Sequence, residues 1–127
     1  MKIKMASVLL IVSLAVMFSA CDEAISVENA YSFGYSENLS ISGGNILTAM
    51  AAIEKYFEEI GAPMGHKIYK GTSDSDTDNQ AKAEFKKAKD KIVKATLDTR
   101  LVYFTVTFDY TVSRDTGVLD RYSYTNK

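Results

Sequence analysis

From Thr99 to Ser113 the chain alternates almost without a break. Val102, Phe104, Val106, Phe108, Tyr110 and Val112 fall on one side, and Tyr103, Thr105, Thr107, Asp109 and Thr111 on the other. A period of two held over this length is the pattern of a strand with one buried and one open face. It commits the chain to a sheet that is covered on one side. Arg114-Asp115-Thr116-Gly117 reads as a turn with Gly117 at positive φ, and Val118–Tyr124 as the returning strand of a hairpin. Upstream, Tyr31, Phe33 and Tyr35 alternate with small residues across 30–36 and predict a second half-buried strand.

Two helices supply the cover. Ile46, Met50, Ile53, Phe57 and Ile60 recur at steps of four and three, one apolar stripe on a helix. Asn45 is placed to cap its start, and Gly61 with Pro63 to stop it. A second stripe, Ala81, Phe85, Ala88, Ile92 and Ala95, follows the polar loop 71–79; Thr77 and Gln80 have capping-box spacing, so this helix is expected to open near Asp78. Residues 66–70 form a short candidate strand between the helices. The expectation is an α+β, two-layer sandwich in the order β-α-(β)-α-β-β. Two helices cover one face of a three- to four-stranded, mainly antiparallel sheet, and the other face is left to solvent.

The chain begins differently. Two lysines precede an uncharged run from Ala6 to Ala20, which as a helix reaches only about 22 Å against a hydrocarbon core of about 30 Å. That is too short to span and suits the core of a signal peptide. The run closes on Phe18-Ser19-Ala20-Cys21, with the chain's single cysteine last. Ser19, Ala20 and Cys21 resemble the lipobox of bacterial lipoproteins. The resemblance covers residues 1–21 and implies cleavage between Ala20 and Cys21 and acylation of the Cys21 sulfur. Residues 1–20 then leave, 21–29 are the lipidated cysteine and a tether reaching about 28 Å at most, and 30–127 make one domain. The resemblance implies a lipid-anchored protein of the bacterial cell envelope, at the outer membrane and facing the periplasm or the surface. With Cys21 acylated no thiol remains, which removes disulfides, thiolate metal sites and cysteine nucleophiles together.

Charge bounds the partners. The chain after the cleavage point carries a net −3, which argues against nucleic acid. Residues 22–78 are net −7 and residues 79–127 net +4; the simplest expectation is that the two halves face each other in the fold.

Candidate chemistry is sparse, and no cofactor is called for. Asp74, Asp76 and Asp78 alternate as calcium-loop carboxylates do, but the glycine and the bidentate glutamate of that loop are replaced by Asn79 and Phe85. His66 is the sole histidine and stands in no hydrolase or metal motif. The lysines of the second helix (82, 86, 87, 89, 91 and 94) read as a solvated face, because the stripe behind them is mostly alanine. The strand's open side is the better candidate. Tyr103, Thr105 and Thr107 offer an aromatic and hydroxyls on which an envelope protein or a glycan could dock. The sequence therefore points to a non-enzymatic binding or accessory module, of the kind that an inhibitor or immunity protein represents. A small hydrolase using acids with His66 is one alternative; a calcium-dependent adhesion or scaffold module is the other.

Overall fold

The structure is a computed structural model and describes residues 26–126. Residues 1–20, the cleavage and lipidation positions Ala20 and Cys21, and the tether up to residue 25 lie outside the described residues. The described chain is an α+β domain in the order β1 (Val27–Ser42), α1 (Ile46–Glu59), β2 (Gly65–Gly71), α2 (Asp74–Lys91), α3 (Lys94–Arg100), β3 (Thr105–Arg114) and β4 (Gly117–Thr125). One antiparallel sheet runs β2-β1-β3-β4, with the helices over one face. Strand 66–70 is real: it is the edge strand β2, paired to the first half of β1 from Val27↔Gly71 to Phe33↔Gly65.

The core is aromatic. Tyr110 of β3 is stacked between Phe57 of α1 and Phe85 of α2, with ring centroids 4.7 and 4.8 Å away. Tyr35 and Phe57 meet Phe108 edge-on. Tyr31, Phe33, Val106, Phe108, Tyr110 and Val112 are buried, so the alternation chose the covered face correctly. In α1 the buried set is Ala49, Ile53, Tyr56 and Phe57, a stripe turned from the one expected; Ile46 stands 53% exposed. Asn45 caps this helix from its side chain to Thr48 N–H (3.1 Å), and Gly61 takes φ +73 after it.

Three boundaries differ from expectation. β1 begins at Val27, so the tether is shorter than 21–29: Val27, Glu28 and Asn29 pair with Gly71, Lys70 and Tyr69. The strand also runs on to Ser42, through two one-residue bulges between Gly34 and Ser40 that break the alternation; Asn38 sits there at φ 55. α2 starts earlier than Asp78. Its cap is Ser73, which accepts from Asp76 N–H (3.0 Å), and Thr77 is buried instead of capping. Finally, the segment before β3 turns into a third helix. Leu97 and Leu101 are fully buried there, and burying both against the sheet favours a helical turn over three more strand residues. β3 therefore starts at Thr105, and Val102 and Tyr103 lie in the turn ahead of it.

Candidate functional site

The uncovered face of the sheet can be followed in rows across the strands. After the edge pairs Glu28–Lys70 and Ala30–Ile68, the first row to cross all four strands carries His66, Ser32, Ser113 and Val118; the next carries Gly34, Thr111 and Arg121. Glu37, Asp109 and Ser123 follow, then Ser40, Thr107 and Thr125, and last Ser42 with Thr105. Asp109 divides the face. It is 6% exposed, accepting from Asn38 Nδ2 (2.8 Å) and Arg121 Nη1 (2.6 Å). Hydrogen bonds from Ser123, Asn38 and Arg121 hold its carboxyl below the usual aspartate range.

Beyond Asp109 the surface carries hydroxyls and no charge. Thr107 and Thr125 hydroxyls meet at 3.1 Å, with Ser40, Ser42 and Thr105 around them. Thr105 and Thr107 thus lie on the open face as expected, but Tyr103 does not share it. Its place in the α3–β3 turn puts it past the end of the sheet, where it is 84% exposed. There it meets a second segment. A side chain at Gly43 would come within 3.1 Å of the Tyr103 carbonyl, and one at Gly44 within 2.8 Å of the Phe104 ring. Only glycines let the β1–α1 loop close on the α3–β3 turn. Leu47 (75% exposed) and Ile46 leave one side of this contact, Tyr103 and Val102 the other.

Sequence patterns do not join this far end into a unit, because Leu47 and Tyr103 are 56 residues apart. Its signal is nonetheless present as an absence of charge. No Asp, Glu, Lys or Arg occurs between Glu37 and Glu54, nor between Arg100 and Asp109. Interface centres are depleted of charge and enriched in tyrosine in this way.

The other candidates are distributed among structural tasks. Asp78 accepts two bonds from Arg114 (2.8 and 3.2 Å) and one from Tyr31 (2.5 Å); Asp74 accepts from Asn29 (2.9 Å); Asp76 accepts from Thr72 N–H (2.9 Å). Three carboxylates inside one helix point to three different places, and they do not converge as a calcium loop requires. Among the described residues no group of three or more His, Cys, Asp or Glu is placed to hold a metal. His66 does have a partner: its Nδ1 lies 3.1 Å from Ser32 Oγ, across neighbouring strands, beside a shallow hollow of about 240 Å³ lined also by Ser113 and Asp115. Glu84, on the lysine-rich helix, accepts from Lys67 (2.6 Å) and from Tyr69. Burial works against its ionised form, yet these two bonds keep its pKa below the ordinary value.

The two halves of the sequence meet in the fold, β1 lying beside β3, and neutralise each other only in part, with Lys67–Glu84 joining them in one sense and two arginine pairs in the other. Arg114–Asp78 and Arg100–Glu59 join a base of the second half to an acid of the first. Lys86–Asp90, Lys89–Asp120, Lys94–Asp98 and Arg121–Asp109 all close within the second half. The exposed side of α1 stays acidic and that of α2 basic. No described helix is long and apolar enough to cross a membrane. Set against protein-family models, curated proteins and solved structures, the chain matches none, and its reading rests on these residues.

Proposed function

We propose that this chain is a lipid-anchored envelope protein whose domain is a non-enzymatic binding module, docking a protein partner through the far end of its sheet. The observation that carries the reading is a pair of highly exposed apolar side chains, Leu47 (75%) and Tyr103 (84%), each in a charge-free stretch of sequence, in the two segments that Gly43 and Gly44 let close on each other. Apolar side chains set in a charge-free field fit an equally uncharged protein surface; an acidic or basic partner finds nothing there to pair with. The position suits an anchored protein. β1 enters at Val27, six residues after Cys21, and ends at Ser42, a strand of 16 residues spanning roughly 45–50 Å. An anchor at Cys21 holds the Val27 end within about 20 Å of the bilayer and leaves Leu47 and Tyr103 at the opposite end, reaching outward.

The test uses the full chain in its own host, with a photo-crosslinking residue at position 103 and, as control, at Ser75 on α2. One adduct of defined mass from position 103, lost on Leu47→Asp, is the expected result. Equal yields from both positions, or an adduct indifferent to Leu47→Asp, would overturn the docking surface. An N-terminal peptide without acyl mass at Cys21 would overturn the anchor.

One observation speaks for the hydrolase alternative, the contact of Ser32 with His66. A serine activated by histidine loses its reactivity when either is removed. Turnover of acyl or phosphoryl ester substrates by the wild type, abolished in both Ser32→Ala and His66→Ala, would displace the binding reading.

A further inference from the structure

The turn Gly61–Met64 joins α1 to β2 and stands between two hollows of opposite charge. On one side a groove of about 410 Å³ is lined by Gly61, Pro63 and the α2 residues Gln80, Glu84, Lys87 and Lys91. On the other, a hollow of about 320 Å³ is lined by Glu54, Glu58, Ala62 and Met64. Lys87 and Lys91 are one helical turn apart on α2, and Glu54 and Glu58 one turn apart on α1. Among the described residues none of the four has an ion-pair partner, although Lys86, Lys89, Lys94 and Arg100 nearby all do. Glu84 inside the groove is already taken up by Lys67 and Tyr69, so the rim it leaves is basic. Glu54 accepts from Tyr35 (2.6 Å), and Glu58 extends the acidic rim one turn further.

We infer that two copies of the chain associate here, about a two-fold axis at the Gly61–Met64 turn. A two-fold contact brings one patch against itself, so that residue i meets j and j meets i. A patch that carries both signs on either side of one ridge is matched by its own rotated copy. Lys87 and Lys91 of each protomer come against Glu54 and Glu58 of its partner, and Met64, 40% exposed, is covered near the axis. A ligand of one charge would satisfy a single rim and leave the other facing it unpaired. The contact uses the helical layer, away from Leu47 and Tyr103, and does not depend on what docks there.

Zero-length carbodiimide coupling of the full chain, followed by peptide mass analysis of mixed isotope-labelled copies, reads this contact directly. Links between copies joining Lys87 or Lys91 to Glu54 or Glu58 are expected, fading as salt rises. Lys87→Glu with Lys91→Glu, two exposed positions whose exchange leaves the fold intact, should weaken the dimer about tenfold or more in dissociation constant. Adding Glu58→Lys to that variant should win part of the loss back; Glu54 stays in place because Tyr35 bonds it. A monomer at all concentrations, a dimer indifferent to the double reversal, or no recovery in a triple variant that melts like wild type would each overturn the proposal.

Discussion

At the Val27 end of the sheet, Arg114 grips Asp78, Tyr31 lies against Asp78 and Thr77, and Asn29 reaches Thr77 and Asp74. At the Ser42 end the corresponding work is done by one amide. Asn126 Oδ1 accepts from Val106 N–H (2.9 Å), and its Nδ2 donates to the carbonyls of Leu101 and Phe104 (3.0 Å each). The first end is locked by an Arg–Asp ion pair, and the second by a neutral amide over buried leucines, with a nearby carboxylate, Asp98, holding Tyr124 and Lys94 from the helix side. Beneath the apolar groups of the far end the bracing is the Asn126 amide, and the Lys94–Asp98 pair stands to the side on the helix. The near end uses the stronger, more visible links.

The two ends share a single column of rings. Phe57 stacks on Tyr110, which stacks on Phe85, and this column ties α1 and α2 to the same strand. Phe57→Ala should cost about 3–5 kcal/mol in urea unfolding, with hydrogen exchange rising at both ends alike. Loss confined to one end would mean that the halves are separately stable.

Arg114→Ala sharpens the contrast. It leaves the Asp78 carboxylate bonded by Tyr31 alone and should cost about 2–3 kcal/mol. Exchange should rise in the first turns of α2 and at Asn29–Tyr31, and stay level at Val106–Phe108. Acid gives the same answer by another route. The Arg114 and Tyr31 bonds lower the Asp78 pKa, so its contribution is complete above the ordinary carboxylate value of about 3.9 and is lost as pH falls through the lower folded value. Urea midpoints measured downward from neutral pH should therefore drop more steeply in the wild type than in Arg114→Ala. Equal slopes would remove Arg114 as the cause.

Asn126→Ala should act on the far end in the opposite style. Three hydrogen bonds vanish and the freed backbone groups find water in part, a cost of about 1–2 kcal/mol. No ionisable group is touched, so the whole stability curve should shift down without changing its acid slope. A changed slope would show the two ends to be coupled.

What was legible in the sequence follows the same division. The alternation of β3 from Thr105 on, the Asn45 cap, the Gly61 stop and the Gly117 turn are local signals, and these stand where their residues put them. The start of α2 and the beginning of β1 were misplaced because distant partners decide them. Thr77 is buried by Tyr31, and Asn29 is drawn into the sheet by Tyr69 and Asp74. Extending the period-two run backward puts Tyr103 on the open face; Leu97 and Leu101 end that run by helix formation, which the pattern alone does not reveal. The Ser32–His66 contact and the close approach of Gly43 and Gly44 to Tyr103 and Phe104 depend on strand register and loop closure. Residue types alone carry neither.

The smallest expected effect on stability is the one that most directly separates the ends. Leu47 and Tyr103 are the most exposed of the large apolar side chains described, and neither braces the fold. Placing a charge on a side chain already in water costs the folded state little, so Leu47→Asp and Tyr103→Asp should each unfold within about 0.5 kcal/mol of wild type. A buried position would behave otherwise: the same charge at Leu101, fully buried beneath the Asn126 amide, should prevent folding. If Leu47→Asp or Tyr103→Asp lowered stability by 2 kcal/mol or more, as measured by urea midpoint, these side chains would be packing residues. The far end would then have no surface to offer a partner, and its lack of charge would need no explanation beyond the core it covers.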